Sequence, residues 1–189
     1  MVGTVALGIV AVMAVVAAFQ VWDSMTGGPI RSAAEYENRV TETKAAGKRA
    51  IRQLTPAPRL TGTLPGATLD DTAEKEDSTS CVDDFGVDDA ATARDQPLYS
   101  WDLTFHDRDA YLKAMKGLRK AWTARGLSVQ AVPSREKGEP GHGLPGIKTT
   151  DDGIDVYFGP DYYSDKPVVR ADGGCVRWQG AGPDHEKSS

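Results

Sequence analysis

The C-terminal third of the chain is a series of short apolar runs separated by turn-forming residues, and this pattern limits the fold more than any other feature. The runs cover 147–150, 154–158, 167–171 and 175–178. Asp-Asp-Gly, Gly-Pro-Asp and Asp-Gly-Gly stand between them. These sequences favour tight turns because Gly and Asp tolerate positive φ angles. The spacing therefore predicts an antiparallel meander of hairpins.

One strand and one helix precede this meander. Residues 98–105 alternate with the period of a half-buried strand, and its apolar face carries Tyr99, Trp101, Leu103 and Phe105. Asp107 then caps a helix that ends at Gly126. One side of this helix is apolar, with Tyr111, Leu112, Met115, Leu118 and Trp122. We predict an α+β fold in which one helix covers a small antiparallel sheet of about four to five strands.

The first 22 residues contain no charged side chain. A helix of this length reaches across a hydrocarbon core of about 30 Å, and Trp22 suits the headgroup layer. The segment therefore predicts an N-terminal transmembrane helix. The alternative is a cleaved signal peptide, whose apolar region is usually about 7 to 15 residues long and follows a positively charged stretch. Neither condition is met here.

A second helix is expected after the Gly-Gly-Pro break. Ser32 and Glu35 have the spacing of a capping box, and Pro56 and Pro58 end the helical pattern. Its apolar stripe consists largely of Ala, Gly and Thr, which are too small to drive strong association. We therefore expect a juxtamembrane stalk or a helix lying on its own domain, and we regard a coiled coil or partner-docking helix as the alternative.

An acidic segment rich in Pro, Gly and Thr follows, with few large apolar residues to offset the entropy of ordering. Calcium binding would need carboxylates at alternate positions that end in a fixed Glu, and that pattern is absent. We expect a solvated acidic loop. The predicted organisation is an anchor at 1–22, a linker and helix at 23–54, an acidic loop-rich segment at 55–95, the α+β domain at 96–179, and a tail at 180–189.

The chain has two cysteines, Cys81 and Cys175, without metal-ligand spacing. Outside the cytoplasm two such thiols normally pair, whereas inside it they stay reduced. Arg31 and Arg39 follow the apolar segment, and by the positive-inside rule they favour a cytoplasmic body. We weigh the cysteines more heavily and expect an extracytoplasmic domain.

Few residues in the sequence indicate chemistry. His106 with Asp107 and Asp109 is the one local group suited to acid–base work, although helix capping by the acids explains it more simply. The sequence contains no nucleophile elbow, phosphate loop or metal motif, so we assign no catalytic residue, metal or cofactor. The net charge of −5 and the lack of a recognised module argue against nucleic-acid binding.

The segment from Tyr157 to Tyr163 is the most distinctive loop. Exposed tyrosines supply rigid contact area and are enriched in interfaces, so we predict a binding surface at Tyr157, Tyr162 and Tyr163. The alternative is that these rings cover the edge of the sheet.

The layout resembles that of small uncharacterised, membrane-anchored cell-envelope proteins of actinobacteria. The resemblance covers residues 80–178 and is carried by the helix end Ala-Trp-Thr-Ala-Arg-Gly-Leu-Ser-Val, the hairpin Asp-Asp-Gly-Ile-Asp-Val and the strand Gly-Gly-Cys-Val-Arg-Trp. It implies an envelope location and a Cys81–Cys175 disulfide, and it transfers no catalytic residue. Many such proteins carry a lipid-accepting Cys, which is absent here.

We therefore expect a single-pass extracytoplasmic protein with a small non-enzymatic binding domain. The expected partners are the membrane, through 1–22, and a second envelope protein. Two alternatives stay open: an envelope hydrolase or transferase that uses the His106 region, and a stalk or accessory subunit of a membrane complex.

Overall fold

The computed structural model describes residues 28–61, 69, 74–76, 81, 92–136 and 143–179. The elements in chain order are β1 (Arg31–Ser32), α1 (Ala33–Gln53), β2 (Arg59–Leu60), β3 (Glu74–Lys75), β4 (Thr92–Asp95), β5 (Leu98–Thr104), α2 (Arg108–Ala124), β6 (Gln130–Val132), β7 (Gly146–Asp151), β8 (Ile154–Pro160), β9 (Pro167–Asp172) and β10 (Val176–Gln179).

The chain divides into two compact units, and the division falls within α1, after Glu37. The smaller unit comprises Met1–Glu37, Ser78–Gln96 and Cys175–Ser189, and the larger unit comprises Asn38–Asp77 and Pro97–Gly174. Each unit is therefore assembled from segments that are distant in sequence.

The smaller unit contains a three-stranded sheet in the order β1-β10-β4, with β10 parallel to β1 and antiparallel to β4. The ring of Tyr36 stacks on Trp178 with 4.9 Å between centroids, and the Trp178 indole N–H donates to Asp95 Oδ2 at 2.9 Å. The unit also holds the Cys81–Cys175 disulfide, with 5.5 Å between the two Cα atoms. This is the pairing that the family resemblance implies.

The predicted capping box is present at the start of α1. The backbone N–H of Ser32 donates to Glu35 Oε2 at 2.7 Å, and the N–H of Glu35 donates back to Ser32 Oγ at 3.3 Å. These two bonds satisfy donors that the helix itself leaves unpaired. The hydrogen bonds from Ser32 also lower the pKa of the Glu35 carboxyl.

The larger unit is built on a seven-stranded sheet, counted over the described residues. Its order is β2-β5-β9-β8-β7-β6, with β3 also pairing with β5, and every pairing in it is antiparallel. The register places four fully buried residues opposite one another on adjacent strands: Trp101, Val169, Phe158 and Ile147. These residues form the central row of the core.

Both helices contribute to this core. From α2 it includes Tyr111, Ala114, Leu118 and Trp122, and from α1 and its end it includes Ala46, Ala50, Ile51 and Leu54. The neighbouring row of the sheet faces the other way and carries Ser100, Arg170, Tyr157, Lys148 and Gln130. The unit therefore has two layers, with both helices on one face of the sheet and polar side chains on the other.

Arg39 ties α1 to two chain reversals. Its guanidinium donates to the backbone carbonyls of Gly173, Asp152 and Gly153, at 2.9, 3.3 and 2.6 Å. Asp152 and Gly153 have φ angles of 53° and 72°, the positive values that a two-residue hairpin turn requires. The hairpin predicted at Asp-Asp-Gly is thus present between β7 and β8.

The predicted fold class is wrong in several respects. The sheet is larger than expected, and α1 is a second covering helix whose small residues pack in the core. We also predicted a transmembrane helix, but among the described residues no helix is both long and apolar enough to cross a bilayer. Residues 1–22, on which that prediction was based, lie outside the described residues, as does the tail at 180–189.

The close packing of α1 explains why its apolar stripe is made of small residues. A Cβ at Gly47 would collide with the ring of Trp101, which is fully buried and donates its indole N–H to Leu69 O at 2.9 Å. The absence of a side chain at Gly47 lets the helix backbone approach the ring. The small residues of α1 therefore allow the helix to lie close to the core, and their size does not indicate that the helix packs weakly.

This contact predicts opposite effects for two helical glycines. Gly47→Ala should lower the free energy of unfolding by about 1 to 3 kcal/mol, because the added methyl group overpacks the core. Gly117→Ala should raise it by about 0.5 to 1 kcal/mol, because Gly117 is exposed in α2 and an added Cβ would come no closer than 3.8 Å to another group. Urea unfolding followed by circular dichroism measures both. Equal effects of the two substitutions would contradict the packing argument.

Candidate functional site

A cleft of about 580 Å³ opens in the larger unit. The end of β5 and the first turn of α2 form one side, and the loop between β8 and β9 forms another. Its lining residues are Thr61, Leu103, Thr104, Phe105, Asp107, Arg108, Tyr111, Gly143, Leu144, Ser164, Asp165, Lys166 and Pro167. Segments far apart in sequence thus meet around one concave space.

The floor of the cleft is apolar and rigidly packed. Leu103 and Tyr111 are each 1% exposed, and the ring of Phe105 meets that of Tyr111 edge to face with 5.5 Å between centroids. The Tyr111 hydroxyl donates to the carbonyl of Pro145. Burial raises the pKa of Tyr111, so the phenol stays protonated and its one donor is already used.

The rim of the cleft is polar and carries charges of both signs. Arg108 and Lys166 are the cations, and Asp107 and Asp165 are the anions. Lys166 Nζ lies 3.5 Å from Asp102 Oδ2. The cleft therefore combines an apolar floor with charged groups at its opening.

The group around His106 is a helix cap. The imidazole is 93% exposed, and its Nδ1 lies 2.9 Å from Asp107 Oδ2. Asp107 Oδ1 accepts from the backbone N–H of Ala110 at 2.7 Å, the bond of an N-cap residue. That backbone bond, with a smaller contribution from His106, lowers the pKa of Asp107. Within the described part of the chain, the imidazole of His106 hydrogen-bonds only with Asp107.

The structure separates the three predicted tyrosines. The Tyr157 ring lies on the outer face of the sheet against Gly146 and Gly159, and its hydroxyl donates to Pro160 O at 3.0 Å. Tyr162 and Tyr163 are 47% and 89% exposed. The Tyr157 ring thus covers the backbone of β7 and β8, which are interior strands of the sheet, and the binding surface at the three tyrosines stays a prediction.

The two exposed tyrosines belong to the loop that borders the cleft. Their rings meet edge to face with 4.9 Å between centroids, and the guanidinium of Arg135 lies 4.1 Å from the centroid of Tyr162. The following residues of the same loop, Ser164 to Pro167, line the cleft. The cleft beside this loop was not predicted from the sequence.

Asp161 holds this loop in place. Its Oδ2 accepts the backbone N–H groups of Tyr163 and Ser164, each at 2.8 Å, and its Oδ1 accepts from Arg170 Nη2 at 3.2 Å. Arg170 is also paired with Glu76, with Nε 3.0 Å from Oε2. The loop is thus fixed by a carboxylate that is itself bound to a cation on the outer face of the sheet.

Comparisons with known proteins assign no family. No family model matches the chain, and no curated protein matches it. A solved structure, that of the candidate lipoprotein LppA from Mycobacterium tuberculosis, is similar over 84% of this chain and 85% of that chain, with 12% identity and a TM-score of 0.42. The source is an actinobacterium, the group named by the resemblance. At this identity and TM-score the similarity assigns neither function nor location.

The bonds of Asp161 predict an acid-sensitive loop. Burial raises the pKa of this carboxyl, but its hydrogen bonds with Ser164 and Tyr163 and the charge of Arg170 outweigh burial, so the pKa lies below its ordinary value of 3.8. The carboxylate therefore stabilises the folded state above pH 3.8, and this contribution is lost as the pH falls through the lower, folded-state pKa.

Unfolding free energies measured in urea between about pH 5 and about pH 3 should show this loss. Asp161→Asn should flatten the pH dependence in that range. Asp152→Asn, which changes an exposed residue in the turn at the other end of β8, should leave it intact. An unchanged pH dependence in Asp161→Asn would show that the Asp161 carboxylate does not cause the loss of stability in acid.

Proposed function

We propose that this chain is an extracytoplasmic binding protein whose cleft takes a small ligand with a substantial apolar part. The observation that carries the proposal is the cleft itself. Its volume of about 580 Å³ lies within the range of about 300 to 1,000 Å³ that is typical of small-molecule sites.

The lining of the cleft supports a ligand with an apolar part. Such sites join a mostly apolar surface to a few polar groups that fix orientation. Phe105 and Leu144 are partly exposed and supply apolar surface over the buried Leu103 and Tyr111, and Arg108 and Lys166 lie at the rim. Because the floor is packed into the core, the site is largely formed before a ligand arrives, which lowers the entropic cost of binding.

The disulfide supports the location. Cys81 and Cys175 lie 94 positions apart in sequence, and a bond of this kind persists in an oxidising compartment and is rare in the cytoplasm. An envelope protein that works outside the cytoplasm fits this chemistry. Docking of a second envelope protein stays a prediction.

The two alternative functions gain no support from a specific contact among the described residues. His106 lies exposed beside a helix cap, and Ala46, Ala50 and Ile51 of α1 belong to the core of the larger unit. Binding in the cleft is the function that the geometry supports best.

Filling the cleft tests the proposal. Leu144 lines the cleft and is half-buried, so Leu144→Trp should place an indole in the ligand space. We expect calorimetry with decanol, an uncharged alkyl ligand, to show an affinity lower by about tenfold or more, because an excluded alkyl chain loses its apolar burial. Lys120→Trp, an equally bulky change at an exposed position of α2, should bind decanol as the native protein does.

Near-ultraviolet circular dichroism of both variants checks that the fold is kept. Decanol that fails to bind the native protein, or that binds a folded Leu144→Trp variant equally well, would overturn the assignment of the cleft.

The location is tested separately in intact cells. A membrane-impermeant thiol reagent should leave Cys81 and Cys175 unmodified until a reductant is added, and should then modify both, because a disulfide shields the two sulfurs from alkylation. Mass spectrometry of the two peptides measures this. Alkylation by a permeant reagent without reductant would place the chain in a reducing compartment.

A further inference from the structure

We propose that the ligand of this cleft is a single-chain anionic amphiphile, with its alkyl chain on the apolar floor and its carboxylate or phosphate at Arg108. This inference rests on the proposed function and adds the chemical class of the ligand. Some polar groups around the cleft are already hydrogen-bonded or ion-paired within the protein, and others are available to bind a ligand.

The carboxylates of the rim are already engaged. Both oxygens of Asp107 are occupied, one by the N–H of Ala110 and the other by His106. Asp165 also has an interaction of its own. Recruiting either group to bind a cationic ligand would compete with these existing interactions. The anions of the rim therefore do not favour a cationic ligand.

The cations of the rim are available. In the part of the chain that the structure describes, the side chain of Arg108 has no hydrogen bond or ion pair. It is the first residue of α2, where the helix dipole disfavours a cation, so helix stability does not explain an Arg at this position. Lys166 has one carboxylate neighbour, at 3.5 Å, which leaves further N–H donors on its ammonium group.

A guanidinium group recognises carboxylate and phosphate oxygens through two parallel N–H donors. Arg108 therefore selects an anion, and Lys166 can add a second positive charge on the same cleft. Charge complementarity at the rim points to an acidic head group.

The floor of the cleft points to an alkyl chain. Phe105 and Leu144 are partly exposed in the cleft and have no polar side-chain atoms, and the Tyr111 hydroxyl below them already donates to the carbonyl of Pro145. A polar ligand body would lose its hydrogen bonds to water here without replacing them, which is costly. An alkyl chain loses none and gains apolar burial.

Matched ligands test this inference by calorimetry on the full chain. Decanoate and decyl phosphate should each bind about tenfold more tightly than decanol, a difference of about 1.4 kcal/mol. Arg108→Gln should remove this preference, so that the affinities for decanoate and decyl phosphate fall to that for decanol. Arg119→Gln removes the same charge from an exposed position of α2 that does not line the cleft, and it should keep the preference.

Two further comparisons test the head group and the alkyl chain separately. Comparison of decanoate with decyl phosphate shows whether the head group is of the fatty-acid or the phosphate type, and both results support the shared chemistry. Inorganic phosphate should bind more weakly than decyl phosphate, because it gains nothing from the floor. Equal binding of the two would overturn the amphiphile assignment.

The failures are also distinguishable. If decanol binds and decanoate shows no advantage, the anion inference is wrong while the proposed function stands. If the advantage persists in Arg108→Gln, Arg108 is not the anion site and the inference is wrong. If none of the alkyl ligands binds the native protein, the proposed function fails together with the inference.

Discussion

The contact between the Trp101 ring and the backbone of α1 at Gly47 sets the architecture of the larger unit. Because the ring is fully buried in the central row of the sheet, the helix has to lie close over that row, and only a residue without a side chain permits this approach. Arg39, two turns earlier in the helix, then binds the carbonyls of Asp152, Gly153 and Gly173. Packing and hydrogen bonding thus fix the same helix at two points.

The candidate site follows from this arrangement. With α1 occupying one part of the sheet face, α2 packs on the remainder, and its first turn lies beside the end of β5. Tyr111 belongs to the core and also to the floor of the cleft, so the buried core of the unit supports the site. The loop held by Asp161 closes another side, and its shape depends on one carboxylate and its hydrogen bonds.

Local patterns were reliable wherever a short-range rule determines structure. The strand at Leu98–Thr104, the capped helix after Asp107, the capping box at Ser32 and the hairpin at Asp152 each depend on neighbouring residues, and each is present. The role of α1 was not predictable in the same way. Its stripe of small residues has the same appearance in a solvent-exposed stalk and in a helix packed closely on an aromatic ring, and only the position of Trp101 distinguishes the two.

The sequence by itself determined α1, α2, β5, the hairpin strands β7 to β10 and the turns between those strands, because periodicity, capping and turn chemistry act over a few residues. The tertiary structure alone decided that, among the described residues, two helices share one face of a seven-stranded sheet and that Arg108, Tyr111 and Lys166 surround one cleft. The reason is physical. These groups come together only when the strands pair and the core is buried, and no short-range sequence pattern specifies which distant residues meet.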